Sequence, residues 1–205
     1  MMFLSISTQH QEASDLGYLF HKHPDRVHKL DLPFGKAIVF FSELSVERST
    51  IVLQFEVDSI GLVRGFGGRD NSQVDLYVND RPYVSSSLFS LALGKAFRSA
   101  MNGLSKERPL LAQSPLPFEI YIPTLSSPNG KEAIAEYFEP LGYELVIEES
   151  LLDAKYPEWG QGTYFQVTFR NTLTLSSLLK HLFILLPVLD GTKHYWIHHR
   201  RRSKV

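Results

Sequence analysis

The order of hydrophobic periodicities between residues 114 and 198 constrains this chain more than any other feature. Prolines at 109, 115 and 117 set that stretch off from what precedes it. Phe118–Ile122 alternates as a strand, and Lys131–Phe138 carries a helical pattern that Pro140 and Gly142 close. Tyr143–Glu149 and Tyr164–Thr172 read as two more strands. Ser176–Leu189 puts Leu178, Leu179, Leu182, Phe183 and Leu186 on one helical face, with Pro187 kinking or ending it. Lys193–Ile197 is expected as a last strand. The resulting order, β-α-β-β-α-β, is that of the split ferredoxin-like unit.

The first 113 residues predict a separate lobe. Leu4–Thr8 alternates as a short strand. Asp15–His21 is a short helix, because Leu16, Leu19 and Phe20 share a face and Pro24 stops it. Val27–Leu32, Lys36–Phe41 and Thr50–Val57 are strand-like; in the last, Ile51, Leu53, Phe55 and Val57 form the apolar face. Gly61–Ser72 holds four glycines and reads as a surface loop. A longer helix runs from about Ser86 to Asn102, with serines at 85 to 87 as N-caps and Gly103 at C′. The expected fold class is α+β, with mixed or antiparallel sheets and flanking helices. The expected division is a first lobe over 1–113, a βαββαβ-like lobe over 114–198 packed on it, and 199–205 as a basic tail or linker toward a further domain.

Composition removes several chemistries. With no cysteine, there is no disulfide scaffold, thiolate zinc site or cysteine nucleophile. The longest apolar run, Leu182–Leu189, is far short of a membrane span. The opening residues lack the basic and apolar regions of a signal peptide, so a cytoplasmic location without membrane contact is expected. Lys and Arg number 21 against 22 Asp and Glu, and four of the basic residues lie in the last six positions. Without those four the balance is 17 against 22, a net −5. A body of that charge disfavours nucleic-acid binding as the primary role.

No self-contained catalytic kit is present. His194 and His198 lie on a strand-like segment, where positions four apart are separated by about 13 Å at ~3.3 Å per residue. That is too far for one ion, and these histidines, with His21, His23 and His199, read as surface or packing residues. The run GLVRGFGG at 61–68 matches neither a dinucleotide fingerprint nor a Walker A loop, and it offers no S-adenosylmethionine site. Lys29-Leu30-Asp31-Leu32 has leucine where a nucleotidyl transferase has glycine, so it reads as a strand with Leu30 and Leu32 inward. Two polar-aromatic stretches have the composition of contact surfaces. One contains Tyr77, Asn79, Asp80, Arg81 and Tyr83; the other contains Tyr156, Glu158 and Trp159. The first equally suits a tight turn braced by Asn79 and Asp80, and the second suits a cover over adjacent core slightly better.

An ordered set of runs identifies a family. SISTQHQEASDLGYLFHKHPDRV, FGKA (34–37), YVNDRPYVSSS (77–87), KERP (106–109), FEPLGY (138–143), PEWG (157–160) and LPVLDGTKHYW (186–196) mark a resemblance that extends over residues 3 to 196. This set resembles the amino-terminal domain of the bacterial RNA-repair 3′-terminal ribose 2′-O-methyltransferase. The resemblance implies a non-catalytic domain that binds the bacterial polynucleotide kinase–phosphatase–ligase and activates its ligase, touching RNA only through the complex. It also implies that S-adenosylmethionine and a divalent metal belong to a separate methyltransferase domain, and it carries no catalytic or metal residue into positions 1–205. The alternative is an RNA-binding module that presents the RNA 3′ end to the methyltransferase.

Overall fold

A computed structural model describes residues 1–10, 12–58, 83–151, 155–156 and 161–190. Among these residues seven strands form one sheet in the order β2-β3-β4-β1-β5-β7-β6. They are β1 (Met2–Thr8), β2 (His28–Leu32), β3 (Gly35–Leu44), β4 (Ser49–Val57), β5 (Leu116–Ser126), β6 (Glu144–Leu151) and β7 (Gln161–Leu173). Every pairing is antiparallel. Among the described residues six helices accompany them: α1 (Leu16–Phe20), α2 (Tyr83–Ala96), α3 (Arg98–Met101), α4 (Pro109–Gln113), α5 (Lys131–Phe138) and α6 (Leu175–Leu189). The α+β class expected from the sequence is the one observed. The last strand expected at 193–197 lies outside the described residues, as does the glycine loop at 61–72.

Residues before 114 supply β1 to β4, and residues after it supply β5 to β7. The two sets join through β1, which pairs with β4 on one side and β5 on the other. β7 lies between β5 and β6, antiparallel to both, so β5-α5-β6 is the split unit that the second-half pattern predicts.

Alternation decides which face is covered. Leu4 and Ile6 of β1, Ile51, Leu53 and Phe55 of β4, Phe118 and Ile120 of β5, and Val167 and Phe169 of β7 are all buried. They share one core with Leu178, Leu179, Leu182 and Leu186 of α6 and with Phe89, Leu93 and Phe97. The helices therefore cover one face of the sheet. Phe138, Tyr143 and Phe169 meet with centroids 4.6 to 6.2 Å apart, and such pairs add about 0.5–1.5 kcal/mol each beyond burial. The Tyr143 hydroxyl and His181 Nδ1 share a hydrogen bond of 3.0 Å, which ties α6 to the turn before β6. The opposite face is mostly polar. Val52 is an exception at 2% exposed, because Phe40 and Ser5 sit directly beside it in register.

Two local features differ from the sequence reading. The helix expected over 86–102 breaks at Phe97 (φ −121°, ψ 28°). That break lets Phe97 meet Phe20 edge-on, with centroids 4.7 Å apart. A short helix, α4, begins at Pro109, where only a boundary was expected; proline suits a first helical turn. Pro187 lies inside α6, which runs to Leu189 as the sequence pattern expects. The start of α6 is capped by Thr174, whose hydroxyl accepts from the Ser177 amide at 3.2 Å. At the start of β3, Gly35 has φ 152°, and a Cβ there would lie 2.2 Å from the Glu56 carbonyl, so only glycine permits this approach to β4.

Asp190 closes the far end of α6 and is buried. Burial pushes its carboxyl up to about 6, and the hydroxyls of Ser86 and Ser126 offset only part of that. A carboxyl raised in the folded state contributes most stability below its unfolded value, and that contribution is lost as pH rises past about 6. Asp190→Asn should therefore raise the melting midpoint at pH 7.5 by several degrees, at about 2–4 °C per kcal/mol for a chain of this size. Thermal melts between about pH 4 and pH 7.5 check this, and the variant should show the flatter profile.

Candidate interaction surface

The contact residues chosen from sequence fall mostly outside the described residues. Tyr77, Asn79, Asp80, Arg81, Glu158 and Trp159 lie there. Tyr83 opens α2, and Tyr156 is an exposed residue.

A different surface is built in full, between α1 and the segment from Leu104 to Arg108. α1 ends at His21, whose left-handed φ of 54° turns the chain away from the helix. The His21 ring Nε2–H donates to the Leu104 carbonyl at 2.6 Å. Ser105 donates its hydroxyl to the Tyr18 carbonyl and accepts the Arg108 amide, both at 3.2 Å. These bonds hold the 104–108 backbone against α1.

Arg108 then makes a two-pronged contact with Asp15. Its Nε–H donates to Oδ2, and Nη2 reaches Oδ1 at 3.3 Å. Its guanidinium also lies over the Tyr18 ring, 4.9 Å from the centroid. Asp15 is buried, so the carboxylate has exchanged water for the planar fork of Arg108. A cleft of about 670 Å³ opens beside this pair, also lined by Lys22, His23 and Leu44. Its lining is mostly polar and charged, and its two large apolar side chains, Tyr18 and Leu44, are about half exposed.

The open face of the sheet is charged but internally neutralised. Glu119 of β5 accepts from Arg48 Nη2 at 3.0 Å and from Arg170 Nε at 2.9 Å. Arg48 Nε also lies 3.3 Å from Glu43. Burial pushes Glu119 up, but the bonds from Arg170 and Arg48 outweigh it and hold the carboxyl below the usual range. This network stitches the β3–β4 hairpin to β5 and β7. Both guanidinium groups are already committed to carboxylates, which leaves little positive potential for a phosphate backbone.

Among the described residues no three His, Asp or Glu side chains converge as a metal-ion site, and His23 Nδ1 lies 3.9 Å from Asp25. No helix among them is long and apolar enough to cross a membrane. His194, His198 and His199 lie outside the described residues.

Sequence reasoning missed the Asp15–Arg108 anchor for a simple reason. Its halves are 93 positions apart, and neither half carries a motif. The one signal available was that SISTQHQEASDLGYLFHKHPDRV and KERP both belonged to the family-like set; the structure brings those two runs together.

The profile of a family described as the RNA repair, ligase-Pnkp-associating, region of Hen1 matches residues 2–205. No curated protein matches the chain. Among solved structures, a chain of the Pnkp1/Rnl/Hen1 RNA repair complex superposes with a TM-score of 0.53 at 15% identity, over 95% of this chain and 43% of that one. A second structure of the Pnkp1/Rnl/Hen1 complex gives 0.52 at 16% identity, with the same coverage. The chain thus spans less than half the length of the solved chains it matches, and at this identity the likeness is one of fold.

Removing Arg108 should loosen α1 rather than unfold the sheet. Arg108→Ala leaves Asp15 buried without its partner. Amide exchange over residues 16–22 should accelerate, while β1 and β5 keep their protection. Arg108→Lys should fall between, because an ammonium cannot reproduce the fork. Hydrogen exchange followed by mass spectrometry reads all three proteins.

Proposed function

This chain belongs to the ligase-Pnkp-associating region of Hen1, a family of RNA repair, and we propose that it binds the polynucleotide kinase–phosphatase–ligase and activates its ligase. The observation that carries this reading is the family match over residues 2–205. The geometry supports it: exposed apolar side chains and an Arg–Tyr–Asp anchor sit on a braced scaffold, which is the composition of a binding surface. The domain acts without chemistry of its own. S-adenosylmethionine and a divalent metal serve a separate methyltransferase portion of the longer protein, in the bacterial cytoplasm. Tyr83 and Tyr156 remain proposed contacts.

Activation by binding has a strict requirement. An inactive ligase holds its competent conformation as a minor state, and the domain must bind that state more tightly than the resting one. Equal affinity for both would shift nothing; moving 1:99 to 99:1 needs about a 10⁴-fold preference. A rigid body meets this better than a mobile one, because it spends less of its binding energy on its own ordering.

The runner-up reading is an RNA-binding module presenting the 3′ end. Tyr121, Arg48 and Arg170 on the open sheet face favour it, whereas the net −5 balance of residues 1–199, 17 basic against 22 acidic, and the pairing of both arginines with Glu119 oppose it.

Ligase adenylylation with and without the chain tests the proposal. The rate should rise and saturate as the chain reaches stoichiometry with the ligase. An unchanged rate rules out activation, and a salt-dependent gel shift of RNA by this chain alone would favour the runner-up.

A further inference from the structure

We propose that the free edge of β6 is the docking site for the ligase-containing partner, and that it takes up a strand of that partner in which basic and apolar residues alternate. The proposal rests on the ligase-binding reading above and adds the place and chemistry of the contact.

Three observations carry it. The first is an unpaired edge. β6 pairs with β7 on one side and, among the described residues, with no strand on the other. Its register with β7 is unbroken from Glu144 to Glu149, so the opposite side presents a regular row of backbone donors and acceptors. Proteins blunt such rows with short strands, lysines or prolines. β2, at the other end of the sheet, is five residues long and carries Lys29. β6 is eight residues long and has neither lysine nor proline. A long open edge is the template on which an extended segment adds as a further strand.

The second is the row of side chains along that edge. Leu145 and Ile147 pack against the core. Successive side chains of a strand point to opposite faces, so Glu144, Val146 and Glu148 stand together on the open face, about 6.6 Å apart. All three are exposed, Val146 at 46%. Neither glutamate forms an ion pair among the described residues: Arg170, beside Glu144 in register, is bonded to Glu119, and Gln166 lies beside Glu148. An added strand meets this acidic–apolar–acidic row best with a basic–apolar–basic one, because opposite charges on facing cross-strand positions attract and like charges repel.

The third is where the charge of the molecule lies. Residues 131–151 hold six glutamates against one lysine, a net −5. Residues 1–199 hold 17 basic and 22 acidic residues, so outside 131–151 the two balance at 16 each. The whole negative excess therefore belongs to α5, β6 and the turn between them. α5 lies along β6: Lys131 Nζ meets Glu149 at 2.7 Å at one end, and the Phe138 and Tyr143 rings meet at the other. Glu132 and Glu136 of α5 and Glu139 just after it are exposed at helical spacing, so further carboxylates flank the edge strand. Such a field steers a basic protein segment onto the edge. It repels a phosphate backbone, and two copies of β6 paired with each other would bring like charges together.

The test uses the whole chain and the ligase-containing partner, with affinity read by calorimetry and backbone protection by hydrogen exchange. Glu144→Lys and Glu148→Lys together should weaken binding by about tenfold or more, the scale of a hot spot. The pair should also abolish ligase stimulation at concentrations where the wild type saturates. Both positions are exposed, so this variant should keep the wild-type melting midpoint, which separates lost contact from lost fold. Asp31→Lys and Glu47→Lys together make the same change in net charge at exposed positions away from β6, and that variant should bind like the wild type. Amides of residues 144–148 should gain protection in the complex, while those of residues 28–32 should not. If the wild type binds and the β6 variant binds equally well, the docking site is wrong and the ligase-binding reading stands. If the complex adds no protection over 144–148, the contact is not an added strand and the proposal is overturned. If those amides are already fully protected in the free chain, the edge is covered by this chain itself or by a second copy, and the proposal is again overturned. If the wild type itself does not bind the ligase, the functional reading falls first and the docking proposal with it.

Discussion

The two-sided pairing of β1 is the constraint on which the rest depends. A seven-residue strand at the start of the chain bonds β4 along its whole length and β5 over Ser5–Thr8. Without it the β2-β3-β4 meander and the β5-β7-β6 split unit would be two sheets with two open edges, each prone to unwanted pairing. With it they share one apolar face, and α6 and α2 lie over a single core. Leu4 and Ile6 are fully buried for this reason, although they stand at the extreme end of the sequence. Contacts between residues more than a hundred positions apart close this sheet, so topology places the chain among slow rather than fast folders.

That constraint also marks how far sequence pattern carries. Alternation at Ile51-Leu53-Phe55 and helical spacing at Leu178-Leu179-Leu182 identified elements whose inward faces are the observed ones, because each period depends only on local geometry. The βαββα order of the second half was legible for the same reason. What pattern leaves out is the partner of each strand. Nothing within Met2–Thr8 announces that β5 is its second neighbour; pairing is decided by which apolar faces the whole sheet must cover together. The break at Phe97 was invisible because a helix propensity says nothing about Phe20, the distant ring that the break brings into contact.

The candidate surface shows the same division. Polar-aromatic composition drew attention to the 77–83 and 156–159 stretches, since Tyr, Trp and Arg in sequence proximity look like contacts. The Asp15–Arg108 anchor scores nothing on that criterion. Its carboxylate sits in an apolar helix start and its guanidinium in a charged, proline-bounded turn, and each is ordinary alone. Only the meeting of α1 with the turn before α4 makes them a site.

The 93-position separation within that anchor has a consequence for timing. A ribosome delivers residue 15 well before residue 108, and β5, which completes the sheet around β1, comes later still. A half-made chain therefore carries an unpaired Asp15. The anchor can form only once synthesis has passed residue 108, so a shorter nascent chain lacks it.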